Sequence, residues 1–95
     1  MFTVPVPMTM KVVGFFRPAI APGISPQTRE EISKKLAEGA GGGWSAVAIG
    51  NSGSAGVAVR AGKETDAISG AVTDCQTRDQ NCRVVALNIF MVEPK

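Results

Sequence analysis

Ala67, Ile68, Ala71, Val72 and Cys75 recur at i, i+1, i+4, i+5 and i+8, a single apolar stripe at the period of an α-helix. Thr65, Asp66, Thr73 and Asp74 lie off the stripe. The spacing predicts a helix from Lys63 or Glu64 to about Thr77. Its apolar face is mostly small, ends on a cysteine, and is bracketed by β-forming runs. This stripe constrains the fold more than any other segment.

The flanking sequence reads as strands. Trp44 to Ile49 and Ala55 to Ala61 enclose Gly50-Asn51-Ser52-Gly53-Ser54, a hairpin whose loop residues suit positive φ. Arg83 to Val92 reads as one final strand, nearly continuous in apolar residues, which implies burial on both faces or pairing within a dimer. Lys11 to Phe16 is a further β-forming run, ended by Arg17-Pro18. Pro5 and Pro7 make residues 1–9 extended but keep them out of a sheet centre. Pro18 to Gly23 reads as a loop.

Ser25-Pro26 opens another helix, with Ser as N-cap and Pro at the first helical position. Ile32 and Leu36 share one face of it; Gly39 stops it and Gly41-Gly42-Gly43 forms a hinge. The order is strand, helix, strand, strand, helix, strand. This predicts an α+β domain of the split-βαβ, ferredoxin-like kind. The alternative is a ββαβ core from Trp44 onward, with residues 1–43 as an arm packing on a dimer partner. Residues 1–22 are expected to form an extended arm and first strand, and residues 23–95 a single α+β domain.

Composition bears on how such a fold is held. The aromatic residues are Phe2, Phe15, Phe16, Trp44 and Phe90 in a chain of 95. The core must therefore come mainly from Ala, Val and Ile, and a small aliphatic core leaves a short chain marginal. A crosslink or a second chain is expected to contribute. Phe15 and Phe16 are adjacent, so in a strand they face opposite sides. One belongs to the core and the other is free to cover an interface, and Trp44 and Phe90 are the remaining candidates for an interface or ligand contact.

Several functions are disfavoured by what is missing. The chain has no His, the commonest general base and metal ligand, so neither a catalytic group nor a metal or cofactor site is expected. No run of 18 apolar residues occurs, which argues against a membrane-spanning helix. Val12 to Phe16 is too short for the apolar core of a secretion signal. Ten Lys and Arg against eight Asp and Glu give little footprint for nucleic acid, and Ala55 to Arg60 has no aromatic on which a base could stack. Gly39-Ala40-Gly41-Gly42-Gly43 follows a helix and enters a strand, the reverse of a phosphate loop.

Cys75 ends the helical stripe and Cys82 begins the last strand, separated by the polar run Gln76 to Asn81. The pair could meet at the helix-to-strand corner as a disulfide. The other readings are an inert pair, with Cys75 a small buried hydrophobe, and a redox dithiol. The last is weakest, because Cys75 sits at the helix C-terminus, where the dipole opposes a thiolate.

Trp44-Ser45-Ala46-Val47-Ala48-Ile49, a glycine-containing hairpin, Gly56-Val57-Ala58-Val59, the helix ending in Cys75 and then Cys82-Arg83-Val84-Val85 resemble a bacterial family of small, mostly exported domains of unknown function. The likeness covers about residues 43–88. It implies a paired Cys75 and Cys82 and an extracytoplasmic origin, and carries over no catalytic residue. The expected function is a non-catalytic module that binds itself, as a homodimer, or another protein. A small-ligand-binding regulatory domain, with a pocket near Trp44 and the Gly41–Gly43 hinge, is the alternative.

Overall fold

A computed structural model of the chain describes residues 7–17, 24–39 and 42–94. The sequence readings for residues 1–6, for the Pro18–Gly23 loop and for Gly41 fall outside those residues. The protein is α+β; the described residues form five antiparallel strands in one open sheet and two helices, compatible with the split-βαβ arrangement. The elements are β1 (Lys11–Phe15), α1 (Pro26–Glu38), β2 (Trp44–Ile49), β3 (Ala55–Ala61), α2 (Glu64–Gln76), β4 (Arg83–Leu87) and β5 (Phe90–Glu93). Across the sheet the strands run β1-β5-β4-β2-β3.

The expected final strand, residues 83–92, is two strands. It folds back at Asn88-Ile89, so that Leu87 pairs with Phe90 and Ala86 with Met91. Asn88 takes φ +53°, a left-handed conformation that Asn tolerates better than most residues. Its amide donates to Ser45 O at 2.8 Å, and its Oδ1 accepts the Ser45 N–H at 2.9 Å. One polar residue thus turns an otherwise apolar run into a hairpin, and β5 carries β1 on its far side.

Each face of the sheet has its own apolar cluster. Ala46, Ala48, Val84, Leu87 and Val92 pack with Ala67, Ala71 and Cys75 of α2. Val47 and Ala86 pack with Ile32 of α1, Phe16 and Ile24. Strand alternation separates the two sets. An extra residue, Val85, sits between the partners of Val47 and Ala48, a bulge that turns Val85 and Ala86 to the same α1 side.

Small residues let α2 approach closely. A Cβ at Gly56 would lie 2.2 Å from both Ala71 O and Cys75 N, so β3 runs against the helix backbone. The alanines of the stripe are therefore a packing choice, since a shallow interface still excludes water when the gap is narrow. Gly39 has a related role. Its φ is −90°, open to any residue, but a Cβ there would meet the Val59 Cβ at 2.4 Å. The helix ends at Glu38 as expected, and it is the contact with β3 that demands glycine.

Candidate interaction surface and cleft

Cys75 and Cys82 form a disulfide, with Cα atoms 6.1 Å apart. The link closes the polar run between α2 and β4, and that corner organises the neighbouring hairpin loop. Asp79 Oδ2 accepts the N–H groups of Ser52 at 2.8 Å and Ser54 at 3.1 Å, while Oδ1 accepts that of Gln80 at 2.7 Å. Asn51 N–H donates to Gln80 O at 3.0 Å. The Gln80 N–H acts most strongly, and with those of Ser54 and Ser52 it outweighs the desolvation of Asp79 and holds its carboxyl below the ordinary range. Sequence reasoning missed Asp79, because a lone acid in a polar turn gives no signal for the loop it ties down.

The sheet has two edges, and they are treated differently. At β3, Asp74 Oδ2 accepts the Val57 N–H at 3.0 Å, and Arg78 donates to Ala55 O at 2.6 Å. Arg78 and Lys35 also pair with the Asp74 carboxylate at 3.0 and 3.9 Å. Partial burial pushes the Asp74 carboxyl upward, but the Val57 N–H and these two cations outweigh it, and the pKa is lowered. Side chains from α2 and the turn after it thus occupy two main-chain groups that an added strand would use.

At the β1 edge the exposed Lys11 pairs with Glu93 at 3.8 Å where the strand begins, and the surface is apolar where it ends. Phe15 is 64% exposed, and its ring stacks on Phe90 with centroids 5.9 Å apart. Val13 and Ile89 are exposed nearby in sequence. Phe16 turns to the opposite face, where it is 9% exposed in the α1-side cluster. Its N–H donates inward to Ile89 O at 2.8 Å, so by alternation the Phe15 N–H and C=O point away from the sheet. Of the four aromatic candidates, the fold brings Phe15 and Phe90 together. Trp44 is half-buried against the α2-side cluster.

On the α1 face, a cleft of about 400 Å³ opens beside the hairpin loop. Phe16, Ile24, Ile49, Val85 and Met91 form its apolar floor, and Asn51, Asn81 and Arg83 stand at its polar side. A second hollow of about 340 Å³ lies by Gly42, Gly43, Ser45 and Asn88, close to the hinge where the sequence suggests a pocket, but Trp44 is not in its lining. Among the described residues no group of three or more His, Cys, Asp or Glu could hold a metal ion, and no helix is long and apolar enough to cross a membrane.

No family model matches the chain, and comparison with curated proteins and with solved structures likewise returns no match.

Proposed function

We infer that this chain is a non-catalytic interaction module that pairs with a second copy of itself through the β1 edge, with the Cys75–Cys82 link supporting its small core. The observation that carries the reading is the contrast between the two sheet edges. β3 has one outward N–H, that of Val57, and one outward C=O, that of Ala55, taken by Asp74 and Arg78, whereas the outward side of β1 carries Phe15 beside Phe90 and the exposed Val13. Among the described residues no strand pairs with the outer side of β1, and an edge of this kind accepts an extended apolar strand. β1 is itself such a strand, and a two-fold axis lets each copy serve the other. The edge is five residues long, so the dimer is expected to be weak and concentration-dependent.

The disulfide favours an oxidising compartment, in keeping with the likeness to exported bacterial domains carried by Trp44, Cys75 and Cys82. Membership of that family and export belong to the same proposal. Sedimentation of the oxidised protein across a concentration series tests the association. A shift from monomer to dimer in the micromolar range, lost in Phe15→Glu with circular dichroism unchanged, supports the reading. A wild-type chain that stays monomeric at high micromolar concentration overturns it.

A further inference from the structure

The cleft on the α1 face lies on the opposite side of the sheet from the Phe15–Phe90 pair, so what it does is independent of self-association. Its floor is apolar, from Phe16, Ile49, Val85 and Met91, and among the described residues of its lining the one charged side chain is Arg83. That arrangement is typical of small-molecule sites, in which hydrophobic walls supply affinity and a few polar groups fix orientation.

Three observations narrow the ligand. First, the side chains of Arg83, Asn51 and Asn81 make no hydrogen bond or ion pair with a described residue. A cation and two amides therefore remain available at one end of an apolar cleft. Second, no acidic side chain is among the described residues of the lining, and the nearby Asp79 carboxylate is engaged by the Ser52, Ser54 and Gln80 N–H groups. Among the described residues of the lining the charge is thus that of Arg83, while the Asp79 carboxylate beside Gly50 stays ionised with its oxygens turned to those N–H groups. Third, the wall bearing Asn51 and Asn81 is fixed: Asn51 N–H is bonded to Gln80 O, and the disulfide closes the turn on which Asn81 stands.

We propose that this cleft binds a small apolar carboxylate, its anionic group paired with Arg83 and the Asn51 and Asn81 amides and its hydrocarbon body on Phe16, Ile49, Val85 and Met91. The guanidinium fork matches a carboxylate in two-point geometry. A volume of about 400 Å³ suits a medium-length chain or an aryl acid and falls at the small end of ligand pockets.

Decanoate is the probe, with decanol as the same body without charge and acetate as the charge without the body. The oxidised full chain is titrated with each and followed by amide chemical shifts and calorimetry. Decanoate is expected to saturate, with shifts centred on Ile49, Asn51, Asn81 and Val85. Decanol is expected to bind roughly tenfold more weakly, the size of one charged hydrogen bond, and acetate not to saturate. Arg83→Gln is expected to weaken decanoate roughly tenfold and leave decanol unchanged. Equal binding of decanol and decanoate, an unchanged affinity in Arg83→Gln, shifts centred on Phe15 and Phe90, or no saturation by decanoate each overturns the proposal. So does a peptide with an apolar free C-terminus that binds where decanoate does not.

Discussion

Asp74 on α2 accepts the backbone N–H of Val57 on the rim strand β3 at 3.0 Å, so a helix side chain stands where a neighbouring strand would be. The same residue is reached by Arg78, four positions on and just past the end of the helix, and by Lys35 from α1. One carboxylate therefore joins both helices to the edge of the sheet. The arrangement guards the edge against pairing, as charged groups at strand rims do in general.

Removing that carboxylate separates stability from edge protection. Asp74→Ala is expected to cost about 1–2 kcal/mol, the loss of a charge-assisted bond to a backbone amide, and to leave Val57 N–H open. Urea unfolding measures the first effect. Light scattering at rising concentration measures the second, with the variant expected to associate more readily than wild type. A variant that loses stability without added association would show that the carboxylate ties helix to strand but does not guard the edge.

Acid should loosen the fold in a defined direction. Asp74 and Asp79 both have carboxyls held below their ordinary range, so they bind protons less readily folded than unfolded. Their contribution is complete above the ordinary carboxylate pKa, about 4, and is lost as pH falls through the lower folded values. Urea midpoints should be flat from neutral pH to mildly acidic conditions and then drop. The drop should be smaller in Asp74→Asn, which no longer titrates there. A midpoint that rises on acidification would contradict the depressed carboxyls.

Reducing the disulfide should be felt in the hairpin loop as well as at the corner. The link spans seven positions of sequence, and closing a loop of that size restrains the unfolded chain by about 2.5 kcal/mol in the loop-entropy model. Reduction should lower stability by roughly that amount. It should also speed amide exchange at Ser52 and Ser54, whose N–H groups rest on Asp79 within the closed turn. Unchanged exchange there would mean that Asp79 is held without the link.

Much of the fold was legible because its signals are local. The α2 stripe from Ala67 to Cys75, the Ser25-Pro26 start of α1 and the loop between Ile49 and Ala55 depend on neighbours within one or two turns. The β4–β5 turn was not legible, since it rests on Asn88 bonding to Ser45, 43 positions away. The cleft was hidden for the same reason. Asn51, Asn81 and Arg83 come from the hairpin loop, the disulfide-closed turn and β4, and only the strand order places them together. Phe15 and Phe16 show the boundary well. Alternation sends them to opposite faces, but which one is buried depends on β1 pairing with β5.

Gly56 offers a direct test of the closeness of α2 and β3. An added Cβ would sit 2.2 Å from Ala71 O and from Cys75 N, both backbone atoms that no rotamer change can move aside. Gly56→Ala should therefore force the strand away from the helix and cost about 3 kcal/mol or more, the upper range for overpacking. Gly62, just beyond β3, has nothing within 4 Å of an added Cβ, so Gly62→Ala should change stability by less than about 0.5 kcal/mol. Urea unfolding of the two variants beside wild type decides the matter. Equal stabilities would mean that the helix does not lie against the strand as closely as the alanine stripe and Gly56 together require.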